Sequence, residues 1–379
     1  MNRRACRWRW SALCGLVACA GTSPPSPAPL PAVSPDLIET RLYLIGDAGA
    51  PDSIREPVLV ALRHELASRG RQVVVFLGDN AYPRGLPAPH QPGRPAAEFH
   101  LAAQIESITA SGATGYFVPG NHDWAKHGTD GWEAIKRQAA FIDSAGAGAV
   151  SLRPPGGCPG PDVVDLGQRL RLVLLDTQWW LHSGPKPEDP SSNCPTDADP
   201  EIVDSLRAAL TGASGRLVVV AAHHPLVSGG EHGGHYGWKD HLFPLRAVGS
   251  WLPLPLLGSL YPSARQQGIS SQDVPSRAYQ RLIAGFSRAF AGVPPALYAS
   301  GHDHNLQVIT DGPARLHLIS GAGYYGHTTP AGRIPGTLFA RAASGFARLD
   351  VPRSGRARLA IVEVDQSGGR REVFSTWVE

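Results

Sequence analysis

Tyr116-Phe117-Val118-Pro119-Gly120-Asn121-His122-Asp123 decides how this chain is read. The short apolar run suits a β-strand, and Pro-Gly ends it. Asn121, His122 and Asp123 beyond it are poor material for a core. Asn and His offer a neutral oxygen and a ring nitrogen, which suit a divalent cation or a developing negative charge. Taken alone, Pro-Gly-Asn is turn chemistry, so the choice rests on partners elsewhere in the chain.

The same pattern recurs. Residues 41–45 form an apolar run that stops at Gly46-Asp47-Ala48-Gly49. Val58, Leu59, Leu62 and Leu66 then fall on one helical face, and Gly70 ends it. Residues 72–77 make a second strand, delivering Gly78-Asp79-Asn80-Ala81-Tyr82, and a helix near 97–109 leads to the opening stretch. Further on, a strand at 170–175 ends at Asp176, a helix spans 201–210, and a strand at 216–222 ends in His223-His224. A helix near 276–290 precedes a strand at 296–300 that ends in Gly301-His302-Asp303-His304. From there the pattern is all-β, at 308–310, 315–320, 345–351, 357–364 and 372–378. Strands alternating with helices predict an α/β sheet, whose ligand site lies beyond the carboxyl ends of its strands.

With 379 residues, 42% hydrophobic and 18% charged, the chain is long enough for an ample core. Its net charge of +3 comes from the leader. Setting aside Arg3, Arg4, Arg7 and Arg9 leaves 31 basic against 32 acidic residues, which gives nucleic acid no electrostatic footprint. The apolar run at 10–18 is too short to span a bilayer. It ends in Leu16-Val17-Ala18-Cys19, which resembles the bacterial lipobox. That resemblance implies export and a lipid on Cys19, and Ala20 in place of Asp points to the outer membrane. An ordinary signal peptide containing Cys19 is the alternative.

The expected organisation is a signal peptide at 1–18, a Pro-rich tether at 19–38 and one domain at 39–379 with a β-rich C-terminal part. Within the domain, 233–276 reads as an irregular Gly- and Pro-rich insertion loop. Two prolines in its apolar run, 251–257, rule out a membrane helix; the run reads as a lid or apolar contact, or as a buried packing segment. Export permits a disulfide between Cys158 and Cys194, with two free thiols as the alternative.

Five strand ends thus carry Asp47; Asp79 and Tyr82; Asn121 and His122; His223; His302 and His304. These are too many ligands for one catalytic cation, and they suit two metals sharing a carboxylate. Over residues 41–309 the chain resembles the calcineurin-like metallophosphoesterases, with all five motif blocks in order. The resemblance implies a four-layer αββα fold, a β-sandwich flanked by helices. It is most similar to the purple acid phosphatase branch. The wider family opens with Asp-x-His, but here Gly49 stands at the histidine position, and Tyr82 completes the Gly-Asp-x-x-Tyr pattern of that branch.

Carried across, the resemblance implies an Fe(III) site of Asp47, Tyr82, His304 and bridging Asp79. A divalent Fe, Zn or Mn would take Asn121, His223, His302 and the same Asp79. His122 would face the phosphate as a catalytic group, and His232, in Glu231-His232-Gly233, is a second candidate. Asp303 would orient a ring or cap a turn, His224 would lie behind the ligands, and Asp123 would support His122 or cap a turn. The implied reaction is hydrolysis of phosphomonoesters by a metal-bound hydroxide on a small phosphorylated substrate. A phosphodiesterase or a nucleotide or phospholipid hydrolase on the same scaffold remains open, as does a surface lipoprotein that binds a partner without catalysis.

Overall fold

The computed structural model describes residues 29–379 apart from 54, 68–69, 189–191, 244–250 and 255–256. The leader, Cys19, the first part of the tether and part of the apolar run lie outside the described residues.

In chain order the first elements are β1 (Ile38–Ile45), α1 (Pro57–Leu66), β2 (Arg71–Phe76), α2 (Arg94–Thr109), β3 (Thr114–Phe117), α3 (Gly131–Gly146) and β4 (Val150–Leu152). Next come β5 (Asp162–Leu166), β6 (Leu170–Leu174), α4 (Gln178–Leu181), α5 (Asp199–Thr211), β7 (Leu217–Ala221), α6 (Trp238–Leu242), α7 (Leu260–Gln266), α8 (Arg277–Phe290) and β8 (Leu297–Ser300). The last six are strands: β9 (Leu306–Ile309), β10 (His317–Ser320), β11 (Thr337–Arg341), β12 (Gly345–Pro352), β13 (Ala357–Val364) and β14 (Arg370–Val378).

Two seven-stranded mixed sheets result, in the orders β14-β13-β12-β1-β2-β3-β4 and β11-β9-β10-β8-β7-β6-β5. Strands β1 to β4 pair in parallel, as do β6, β7, β8 and β10. Parallel strands require crossovers, and α1, α2 and α3 supply them on one outer face. Strand alternation decides the layers. Leu42, Leu44, Val73 and Val75 point into the core between the sheets, where they meet Leu172, Leu174, Val219 and Ala221. Tyr43, Ile45, Val74 and Phe76 point the other way, onto α1 and α2. Val173, Val220 and Tyr298 likewise pack on α5 and α8. The outcome is the expected αββα sandwich. Truncating one inter-sheet residue, such as Leu172→Ala, costs about 2–5 kcal/mol through the cavity left behind.

Local chemistry sets the helix starts. Pro57 occupies the first turn of α1 and Glu56 accepts from the Leu59 amide at 2.8 Å; Ser276 caps α8 through the Tyr279 amide at 3.2 Å. Helix α3 and strands β4, β5 and β11 are not expected from the sequence. The inward face of α3 carries Ala134, Ile135, Gln138 and Ile142, with Trp132 and Phe141 partly buried beside them, so α3 is an amphipathic helix that the strand-end reading passes over. The insertion is also more ordered than a loop, holding α6, α7 and a helical turn at Leu257–Ser259. Segments of three to seven residues are too short to show a helical period in sequence.

At one edge the two sheets come together. The Gly46 amide donates to the Ser320 carbonyl at 2.7 Å, and a Cβ on Gly46 would stand 2.9 Å from the Gly301 Cα. That approach brings the ends of β1, β2, β3, β7 and β8 to a common site.

Candidate metal centre

Asp47, Asp79 and His302 lie just past the strand ends Ile45, Phe76 and Ser300, with positive φ of 59°, 54° and 70°. Left-handed backbone in a non-glycine residue costs roughly 1–2 kcal/mol, so the surroundings must hold it. They do so through the acids themselves. Asp47 Oδ2 accepts from the His302 amide at 2.9 Å, and Asp79 Oδ1 accepts from the His122 amide at 2.8 Å. Each carboxylate therefore keeps its other oxygen for the space between the strands.

Two groups of side chains meet there, on either side of Asp79. In the first, the Tyr82 hydroxyl lies 3.0 Å from Asp47 Oδ1, 3.2 Å from Asp79 Oδ2 and 3.2 Å from His304 Nε2. In the second, Asn121 Oδ1 lies 3.0 Å from His223 Nε2 and 3.1 Å from His302 Nδ1, and those two nitrogens are 3.1 Å apart. Asp79 Oδ2 is 3.6 Å from His223 Nε2, so one carboxylate oxygen reaches both groups. All the expected ligands are brought together.

The second group fits a cation on its own chemistry. His223 Nδ1 donates to the Leu77 carbonyl at 2.8 Å, and His302 Nε2 donates to the Gln272 carbonyl at 2.9 Å. A carbonyl only accepts, so each ring carries its proton on the far nitrogen. Burial, with His232, His224 and His223 nearby, pushes His302 well below the ordinary histidine value and keeps it neutral. With His223 also in its neutral form, three lone pairs converge with no proton between them, an arrangement a positive ion satisfies.

The first group fits a cation as well. Burial and then the charges of Asp47 and Asp79 push the Tyr82 phenol well above its usual value. A phenolate forms beside those carboxylates only with positive charge to offset all three. Burial also acts to raise Asp79, but the charge that His223 and His122 carry when protonated, with the His122 amide and a protonated His304, outweighs it and holds the carboxyl below its usual value. His304 is itself raised: burial lowers it, and the hydrogen bond and charge of Asp47 outweigh that.

Gly49 explains why tyrosine stands where it does. A Cβ there would lie 2.4 Å from the Asp79 carbonyl and the Asn80 carbon, so no side chain fits. The Gly49 carbonyl instead accepts from the Tyr82 amide at 2.9 Å and seats the ring.

His122 is half-buried at the mouth, with Nδ1 on the Pro83 carbonyl at 2.7 Å and Nε2 3.8 Å from Asp79 Oδ2. His232 stacks on His302 with ring centres 3.8 Å apart, and its Nδ1 lies 2.9 Å from Asp273 Oδ1. His224, although close to His223 and His302, has both nitrogens engaged, Nδ1 by Thr177 Oγ1 at 2.8 Å and Nε2 by Gln272 Oε1 at 2.9 Å. Asp303 orients no ring; it binds the Ser228 hydroxyl at 2.5 Å and the His232 amide at 3.1 Å, which fixes the His232 loop. Asp123 accepts from the amides of Gly120, Asn80 and Ala81 and from the side chains of Asn80 and Gln138, all within 3.2 Å.

Sequence reasoning misses Gln272, Asp273 and His327. The first two sit in the insertion with no motif to mark them. His327, on the loop before β11, stacks on His304 at 4.0 Å and faces Tyr82 at 5.8 Å. Away from the centre, Cys158 and Cys194 are bonded, with Cα atoms 5.5 Å apart.

No family model and no curated relative matches the chain. Among solved structures it is similar to GAP50, the anchor in the inner membrane complex of Plasmodium, over 90% of this chain and 89% of that one, at 16% identity and a TM-score of 0.53. Purple acid phosphatase PPD1 from yellow lupin (Lupinus luteus) seeds aligns over 92% of this chain and 55% of its own, at 14% identity and a TM-score of 0.47. PhoD aligns over 92% and 73%, at 13% identity and a TM-score of 0.48. At 16% identity the likeness to GAP50 is one of fold, along nearly the whole length of both chains.

Proposed function

We propose that the chain is a phosphomonoesterase working with two metal ions, Fe(III) beside a divalent Fe, Zn or Mn, and held at the outer membrane by a lipid on Cys19. What carries this reading is Asp79, one oxygen of which reaches both a Tyr82-centred group and three converging lone pairs. Asp47, Tyr82, His304 and Asp79 would hold the first ion, and Asn121, His223, His302 and Asp79 the second. Bound there, the pair would acidify a water and offset charge on the phosphoryl oxygens.

The chain's own side chains do the rest. The Pro83 carbonyl holds the proton on His122 Nδ1, so Nε2 carries a second proton only in the imidazolium form. From the mouth of the site that proton is in position for the departing alkoxide. The water oxygen bonds to phosphorus and the ester P–O bond breaks. One water proton stays with the phosphate, and the other is replaced on the alcohol through His122. His232, backed by Asp273, would stabilise charge on the phosphate.

The test is metal analysis of the purified protein with a visible spectrum and a p-nitrophenyl phosphate assay. Two metals per chain, a tyrosinate-to-Fe(III) band lost in Tyr82→Phe, and turnover are expected. An active, colourless zinc or manganese protein overturns the iron assignment. No metal and no turnover with several cations overturns the enzyme.

A further inference from the structure

Large hydrophobic side chains are seldom well exposed in this protein, and more than half of those that are lie in one place. Trp238, Trp251, Leu252, Leu257, Leu260 and Tyr261 are 55–68% exposed, against five others in all the remaining described residues. They belong to the insertion, where α6, the turn at Leu257–Ser259 and α7 pack on one another. Lys239 Nζ lies 5.8 Å from the Trp238 ring, whereas Arg265, 5.7 Å from the Tyr261 ring, is largely buried and paired with Asp273. Exposed tryptophan, tyrosine and leucine, with Lys239 beside them, is the composition that settles at the headgroup level of a lipid surface.

This surface adjoins a cavity that reaches the candidate centre through His327. Trp251 and Tyr261 also line a cavity of about 520 Å³, together with Phe243, Tyr236 and His327. The Trp251 and Phe243 rings stand 5.5 Å apart, and at the other end His327 stacks on His304 at 4.0 Å. The cavity is therefore mixed, with that aromatic wall and a polar one of Glu231, Asp240, Thr328 and Thr329, and it meets the candidate centre at His327 and the apolar outer surface at Trp251 and Tyr261. A small hydrated ester would leave both unused.

We infer that the substrate is a lipid phosphate monoester, whose phosphate enters the metal centre while an acyl chain lies in the cavity walled by Trp251, Phe243 and Tyr261. The inference rests on the phosphoesterase reading and names its substrate class. The chemistry is unchanged: water adds to phosphorus, the P–O bond to the diacylglycerol oxygen breaks, and that oxygen takes a proton.

The full chain, purified in detergent and loaded with iron and zinc, is assayed on dioleoyl phosphatidic acid in mixed micelles, on glycerol 3-phosphate and on p-nitrophenyl phosphate. A kcat/KM for the lipid at least 100-fold above that for glycerol 3-phosphate is expected. In Trp251→Ser/Leu257→Ser, and separately in Trp238→Ser/Leu260→Ser, the ratio of lipid to p-nitrophenyl phosphate turnover should fall at least tenfold. A lipid no better than glycerol 3-phosphate, or a ratio that neither variant moves, overturns the inference and leaves the phosphoesterase standing. No turnover of any ester removes both.

Discussion

The His302 amide donates to Asp47 Oδ2 across 2.9 Å, joining residues 255 apart in sequence and strands from different sheets. The same carboxylate presents Oδ1 to Tyr82 and His304. Asp47 is thus a structural tie and a candidate ligand at once, and substitutions separate the two roles. Asp47→Asn keeps an acceptor and tolerates the positive φ, so it should fold normally and lose a metal ion. Asp47→Ala should also lose about 1–3 kcal/mol by stranding a buried amide. Elemental analysis and urea unfolding of both variants measure the difference.

Asn121 and His122 are neighbours with different tasks. Asn121→Ala removes one of the three converging lone pairs and should lower the metal content. His122→Ala should keep both metals and reduce kcat by about 10²–10⁴, as for loss of a general acid. Metal-to-protein ratios beside p-nitrophenyl phosphate kinetics check both, and unfolding of both variants would instead favour a purely structural turn.

Asp123 fastens the loop bearing Asp79 to the loop bearing Asn121. Its replacement by alanine strands buried donors from Gly120, Asn80, Ala81 and Gln138. The expected loss of stability is at least about 3 kcal/mol, since each stranded group costs about 1–3. Metal retention should fall with it, although Asp123 touches neither ligand group, and chemical denaturation at fixed metal concentration gives the value.

Asp176 supplies a pH dependence. Burial drives its carboxyl up to about 8 from 3.8, while the Trp124 indole and the Gln178 and Trp179 amides donate to it. The folded chain therefore binds a proton that the unfolded chain has released above pH 4. Its contribution to stability is complete below that point, falls as pH rises, and is gone above about 8. Unfolding free energies between pH 4 and 9 should decline by up to a few kcal/mol through this group, with a shallower slope in Asp176→Asn.

Cys158 and Cys194 close a loop across a sequence separation of 36. Chain entropy for that length predicts a loss of about 4 kcal/mol in Cys158→Ala/Cys194→Ala. Thermal unfolding of wild type and variant measures it, and metal content should stay the same because neither cysteine approaches the centre.

Much of the centre was legible because a parallel strand advertises its end. Val73 to Leu77 can only be a buried strand, and the residues after Gly78 must emerge at the carboxyl edge, where ligands bind. The same reading gave Asp47, Asn121, His223 and His302. It passed over α3, whose amphipathic pattern carries no strand end, and it did not give the short helices of the insertion, whose lengths carry no period.

Sequence by itself determined which side chains stand at the strand ends, since alternation and Gly-ended apolar runs are local facts. Only the tertiary structure decided what holds them. The Gln272 carbonyl fixes the His302 proton from 30 residues away, and Asp273 backs His232 from 41. Asp303 turned out to hold the His232 loop, and not a ring. Gly49 was legible as a missing histidine, but its reason, a Cβ 2.4 Å from the Asp79 carbonyl, exists only once β1 and β2 are paired. Hydrogen-bond direction and close approach depend on atoms distant in sequence, and no local pattern encodes them.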